Sequence, residues 1–357
     1  MRSHDGRFMQ PLLRLVVIAL LVVIPASLEV FDAAAEPQEG FDLHFIDVGQ
    51  GDATLITAST GETLLVDGGR SKSRIRTRLE TLGITDLDAI AMTHPDADHI
   101  AGLVEVLEMF QVERIYLNGG EKGTQTFASF MAAVGAEGAV VTTVSRGDTI
   151  PLGNLTLQVL HPGTLTGNSN VDSMVLLIDC GEVEVLLTGD AESPSEQDMI
   201  EAGVLVNVDV LRVGHHGSDS STSQEFLDAV VPEVGVISAG LTNAYGHPHE
   251  EVKDRLQAAG VQIILTDTTE DDDTAHMTSL DCQTYSFQDL ELSTATPTPT
   301  LTSTATATAS PTASATPTPT PIPAASSWGL AALAAALLVM TAILLRRTSG
   351  HRPATRP

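Results

Sequence analysis

Cysteine, aromatic residues and bases are all scarce in this chain of 357 residues. Two cysteines exclude a disulfide framework and a four-cysteine zinc module. Only 4% of the residues are aromatic, which leaves little for base stacking and argues against a single-strand nucleic-acid platform. Bases number 18 against 46 acids, a net charge of −28, so general phosphate neutralisation of DNA is also unsupported. Apolar residues are not lacking: 43% is enough for a core and excludes wholesale disorder. At roughly 100–200 residues per domain the length allows one large domain or two ordinary ones. The 11 histidines exceed what bulk requires, and their placement is informative.

The two ends differ from the middle. Residues 1–35 read as a signal peptide or anchor: Arg2, Arg7 and Arg14 precede an apolar run from Leu15 to Ile24, Pro25 breaks it, and Ala33-Ala34-Ala35 follows. Residues 292–323 are almost wholly Thr, Pro, Ala and Ser, a composition that buries no core and reads as an extended linker. Residues 328–345 are uncharged and mainly apolar, and Arg346, Arg347, Arg352 and Arg356 follow. They predict a transmembrane helix with a basic cytoplasmic tail at 346–357. The segment from Ile322 to Gly329 also resembles bacterial C-terminal sorting tails, which implies that the span is open to processing. The expectation is bacterial-type export, with a single-pass membrane tether and residues 40–291 facing outward. No protein partner is implied.

That middle holds 41 acids and 11 bases, and Arg70, Lys72, Arg74, Arg76 and Arg78 bunch five of the bases together. Short β-branched runs alternate with amphipathic stretches. Strands are expected at 41–47, 54–57, 63–66, 88–92, 114–117, 138–144, 155–160, 175–178, 184–187, 208–213 and 234–238. Helices are expected at 73–82, 100–110, 223–230 and 250–259. Strands clustered early and alternating units later suggest two sheets covered by helices.

The densest chemistry is Thr93-His94-Pro95-Asp96-Ala97-Asp98-His99, between an expected strand and an expected helix. Two imidazoles and two carboxylates round one turn, stiffened by Pro95, point to a metal site. Helix capping by the carboxylates is the plainer alternative.

The pattern resembles the metallo-β-lactamase signature His-x-His-x-Asp-His, with Asp96 at the second histidine. Further segments follow in order: Asp47-Val48-Gly49-Gln50-Gly51-Asp52, Leu65-Val66-Asp67-Gly68-Gly69, Asn170 with Ser173, Leu187-Thr188-Gly189-Asp190, Gly214-His215-His216-Gly217-Ser218 and Tyr245-Gly246-His247-Pro248-His249. Together they resemble the hydrolase domain of ComEC-type competence proteins, over roughly residues 41–267. The resemblance implies an α/β, four-layer αββα sandwich at 40–291 with two divalent metal ions. It implies that His94 and Asp96 hold one ion and that Asp98 and His99 hold the other. Asp190 bridges them, and His215, His216 and His247 complete the set, with His247 favoured over His249. Asp47, Asp52, Asp67 and Asp172 are then carboxylates that shape loops or orient ligands. The family usually has Asn where this chain has Asp172.

Paired divalent ions can share an activated water and hold both attacking and leaving oxygens. Asp96 in place of histidine hardens the site, which favours Mn²⁺ relative to Zn²⁺ without excluding either. The expected catalytic residues are Asp98, with His216 or His247 protonating the leaving group. Arg74 and Arg78, four residues apart on one helical face, are expected to contact substrate, although surface ion pairing is an equal alternative. The resulting expectation is a metal-dependent hydrolase of a phosphodiester or other ester, nucleic acid included. The alternatives are lactam, lactone or thioester hydrolysis, and a non-catalytic metal-binding surface module. Cys180 and Cys282 are open to a disulfide or to two buried thiols, and the acidic run Glu270-Asp271-Asp272-Asp273 reads as a solvated loop.

Overall fold

Residue alternation sets the first strand: β1 (Phe41–Phe45) buries its three apolar side chains and leaves Asp42 and His44 half-buried on the other face. The computed structural model describes residues 40–267 and 275–288. The expected signal segment, the acidic run at 270–273, the linker, the span and the basic tail lie outside the described residues. Among the described residues no helix is long and apolar enough to cross a membrane.

After β1 come β2 (Thr54–Ala58), β3 (Thr63–Val66), β4 (Leu87–Met92), β5 (Val112–Leu117) and β6 (Val140–Thr143). With β14 (Ala275–Ser279) and β15 (Ser286–Phe287) they form an eight-stranded sheet in the order β15-β14-β1-β2-β3-β4-β5-β6. The second sheet has seven strands: β7 (Thr149–Leu152), β8 (Leu155–His161), β9 (Val175–Cys180), β10 (Val183–Leu187), β11 (Val210–Arg212), β12 (Val234–Ile237) and β13 (Gln262–Leu265), in the order β13-β12-β11-β10-β9-β8-β7.

Each sheet has a parallel half built from strand–helix–strand units. In the first, α1 (Lys72–Thr81), α2 (Ala97–Met109) and α3 (Gln125–Glu137) link β3 to β6. In the second, α4 (Ser193–Ala202), α5 (Gln224–Val230) and α6 (Glu250–Ala258) link β10 to β13. Three apolar layers follow. Phe45, Leu64, Leu157, Leu176 and Val185 pack between the sheets. Leu65, Ile75, Ile90 and Leu103 pack the first sheet against its helices, and Leu186, Leu211, Phe226 and Val252 do so for the second. The result is the expected four-layer αββα sandwich. Strands covered on both faces read as unbroken apolar runs, as residues 64–66 of β3 and the whole of β12 do.

The expected elements are present, with one shift that matters. Helix α2 begins at Ala97, not near residue 100, so Asp98 and His99 stand in its first turn. Helices α3 and α4 and strands β7, β13, β14 and β15 were not expected. Helix α3 buries little beyond Phe130 and Val134, so its apolar periodicity is faint in the sequence.

The parallel halves place the ends of β3, β4, β10, β11 and β12 on one side of the sandwich, where crevices form outside carboxyl strand ends. At the other end Cys180, which closes β9, is bonded to Cys282 in the β14–β15 turn, with Cα atoms 5.1 Å apart. This settles the open cysteine pairing in favour of a disulfide, and it joins the two sheets.

Candidate metal centre

Three imidazoles are each aimed by a hydrogen bond at Nδ1. Asp67, just past β3, accepts from the Thr93 backbone at 2.8 Å and from the Thr93 hydroxyl at 2.5 Å. The same carboxylate takes His99 Nδ1 at 2.7 Å. His94 Nδ1 lies 3.1 Å from Thr93 Oγ1 and 3.3 Å from Ser173 Oγ, and His216 Nδ1 donates to the Ser238 carbonyl at 2.8 Å. An acceptor at Nδ1 keeps the proton there and presents Nε2 as a bare lone pair.

Those lone pairs converge. His94, His99 and Asp190 offer ligand atoms within 4.8 Å of one another, and so do Asp98, His99 and His216. Asp190 Oδ2 is 3.7, 3.2 and 3.7 Å from Nε2 of His94, His99 and His215. Its Oδ1 is 3.4 Å from His216 Nε2, which is 3.8 Å from Asp98 Oδ2. One carboxylate facing two ligand groups is the arrangement of a bridging ligand. His94 Nε2, His99 Nε2, His216 Nε2 and Asp190 Oδ1 are all buried without a hydrogen-bond partner. Such orphaned atoms are costly, and a divalent cation satisfies them. A third group, Asp52, Asp67 and His99, also lies close together, but Arg212 engages Asp52 at 2.9 Å and Thr93 engages Asp67.

The electrostatics fit the same chemistry. Burial, then the neighbouring His99, lowers His94 to about 3. Burial and the imidazoles of His215, His216 and His249 lower His247 to about 4. Burial opposes charge on His99 and Asp190. Even so, Asp190 and Asp67 hold His99 well above the ordinary histidine range, and His216 and His99 hold Asp190 well below the carboxylate range. A cation bound here would replace the His99 proton. The backbone is also unusual. Asp67, His215 and His216 have φ of 58°, 47° and 55°, left-handed conformations that cost a non-glycine residue of order 1–3 kcal/mol and cluster at functional sites.

Of the expected ligands, His94, Asp98, His99, Asp190 and His216 come together. His215 lies at the rim, where Asn170 Nδ2 donates to its Nε2 at 3.3 Å and Ser220 and Glu192 flank its Nδ1 at 3.1 and 3.3 Å. The His247 ring is 5.5 Å from that of His215, and its Nδ1 is buried without a partner. His249 instead accepts from the Asp219 backbone at 2.9 Å. Asp96 lies in the same turn as His94 and Asp98. Its carboxylate is held by the Lys122 ammonium and belongs to neither ligand group.

Arg74 and Arg78 take the ion-pairing alternative. Both grip Asp47, at 3.2 and 3.0 Å, and Arg78 is buried, because α1 packs over the loop that follows β1. They brace that loop, Arg78 from within and Arg74 with its side chain half exposed. Asp47 is their counter-ion. Asp172 is buried and shapes the loop before β9, taking the backbone N–H groups of Thr166 and Gly167 at 2.7 and 2.8 Å.

Sequence spacing does not single out Arg212. It is fully buried, with Nε 2.9 Å from Asp52, Nη1 3.9 Å from Asp190 and Nη2 3.1 Å from His216 Nδ1. A guanidinium inside an otherwise apolar strand was the available signal.

A family model described as the Metallo-beta-lactamase superfamily matches residues 46–240. ComE operon protein 3 of Bacillus subtilis strain 168 is 32% identical over 246 residues, covering 63% of this chain and 32% of that protein. Recombination protein 2 of Haemophilus influenzae is 35% identical over 219 residues, covering 59% of this chain and 26% of that protein. The chain thus spans a third or less of the length of these curated relatives. Among solved structures, the metallo-beta-lactamase fold protein YhfI of Bacillus subtilis aligns with a TM-score of 0.47 at 14% identity, over 68% of this chain and 100% of that one.

Proposed function

We propose, for a chain that belongs to the metallo-beta-lactamase superfamily, that the pocket around Asp190 is a dinuclear metal centre cleaving phosphodiesters. The carrying observation is the set of buried, unpartnered ligand atoms on His94, His99, His216 and Asp190. Two divalent cations, zinc or manganese, supply Lewis acidity toward a phosphoryl oxygen and lower the pKa of water. His94, Asp98, His99, Asp190 and His216 hold them, and Asp67, Thr93 and Ser238 keep the rings oriented. With His216 committed to a ligand position, proton transfer to the leaving oxygen falls to His215 at the rim, oriented by Glu192 and Ser220. His247, kept neutral by burial, can accept a proton from water but has none to give.

We further propose that the domain works outside the membrane. The Arg-flanked apolar run near the N-terminus, the apolar stretch 328–345 with its basic tail, and the Cys180–Cys282 disulfide support this.

Metal content of the purified protein, read beside divalent-metal-dependent cleavage of bis-p-nitrophenyl phosphate, lactams and lactones, tests the reading. Wild type should bind two equivalents and cleave the phosphodiester, and Asp190→Ala and His94→Ala should abolish both. Equal turnover by variants and wild type would defeat the catalytic assignment. Preferential lactam or lactone cleavage would reassign the substrate.

A further inference from the structure

The middle of the chain is strongly acidic, so an anionic substrate needs a local cation, and the arginines of α1 already hold carboxylates. Arg74 and Arg78 are bound to Asp47, Arg76 is bound to Glu105, and Arg212 is buried behind Asp190. Lys122 stands elsewhere, in the loop between β5 and α3. That loop is anchored across the ligand turn: Asn118 Nδ2 donates to the Asp172 carbonyl at 2.8 Å, and its Oδ1 accepts from the Gly120 backbone at 3.0 Å. Gly120 in turn packs toward Pro95, where an added Cβ would sit 3.5 Å from the proline ring.

The anchored loop carries the Lys122 ammonium to two partners on the pocket rim. One is Oδ1 of Asp96, midway between His94 and Asp98 in the sequence, and the other is Ser169 Oγ at 3.2 Å. Ser169 adjoins Asn170, which donates to His215. An ammonium has three protons, and these partners use two. The side chain remains about a third exposed, so the third proton is accessible to a ligand oxygen.

We propose that Lys122 is the substrate-binding cation of this site, the residue that contacts the anionic oxygen of a phosphodiester, and that Asp96 is the positioning residue that holds it over the rim. The inference rests on the phosphodiester reading above and assigns that site its anion-recognition residue. Asp96 occupies the second-histidine position of the family pattern, so the ammonium it holds stands at the ligand turn.

The test uses the metal-loaded full chain as wild type, Lys122→Gln and Lys122→Arg. Turnover of bis-p-nitrophenyl phosphate, binding of diphenyl phosphate and metal content are all measured. Lys122→Gln should raise KM and the diphenyl phosphate Kd roughly tenfold, the size of one lost charge-assisted hydrogen bond. Metal content should be unchanged and kcat altered far less, and Lys122→Arg should recover most of the loss. Unchanged KM and Kd in Lys122→Gln, or loss of metal from that variant, would overturn the assignment. A wild type that binds diphenyl phosphate through Lys122 yet turns over no phosphodiester would remove the phosphodiesterase reading and leave the anion site standing.

Discussion

The carboxylate of Asp67 stands behind the proposed metal pocket and orients it. It holds the Thr93 backbone, the Thr93 hydroxyl and His99 Nδ1, and through Thr93 it also steadies His94. Asp67→Asn keeps the volume but loses the charge that fixes the His99 ring. Metal affinity, measured by chelator competition, is expected to fall about 10–100-fold.

A second carboxyl, far from that chemistry, reports on pH. On β10, burial and then the charge of Asp209 push Glu184 up to about 7 from its ordinary 4.5. The folded protein therefore retains a proton that the unfolded chain gives up between those values, so stability falls as pH rises through that window. Glu184→Gln should raise the Tm at pH 8 and leave it unchanged at pH 4, as followed by calorimetry.

At the scale of elements, the pocket is built where α2 meets the loop after β3. Gly68 N–H donates to the His99 carbonyl at 2.7 Å and Gly102 N–H to the Gly69 carbonyl at 2.9 Å. A Cβ on Gly102 would stand 1.8 Å from the Gly68 oxygen, so only glycine permits this approach. Gly102→Ala should destabilise the protein by about 1–3 kcal/mol and weaken metal binding, as Asp67 is displaced. Urea unfolding beside a metal titration separates the two effects. The pairing of α1 with the loop after β1 predicts a different phenotype. Arg78→Gln should cost about 1.5–3 kcal/mol in the same unfolding assay, by taking a charged partner from buried Asp47. It should leave KM for a small phosphodiester unchanged.

For the molecule as a whole, two sheets must stay in register if ligands from both are to meet. His94 and His99 follow β4 of the first sheet, and Asp190 and His216 follow β10 and β11 of the second. The apolar layer between the sheets holds them together, and the Cys180–Cys282 bond ties the end away from the pocket. Reducing that bond, which spans a separation of 102 residues, should lower unfolding stability by about 2–5 kcal/mol. Metal stoichiometry in the folded fraction should be unchanged. Denaturant curves with and without dithiothreitol provide the check.

The order of most strands and helices, the layered architecture and most of the residues that meet at the candidate site could be read from the sequence. Each depends on local signals: β-branched runs, Gly-rich turns, and the spacing from His94 to His99. Helix α3 and the late strands β13 to β15 escaped because their apolar patterns are short or dilute. Partner choice is not local, and it was decided in three dimensions. Arg74 and Arg78 share a helical face, but the loop that meets that face carries Asp47. Asp96 sits among ligands in sequence, yet the loop before α3 brings Lys122 onto it. Arg212 reads as one residue of a buried strand until Asp52, Asp190 and His216 close around it. Side-chain type and spacing thus determined which chemistry this chain can perform, whereas packing of segments distant in sequence determined which charges remain free to perform it.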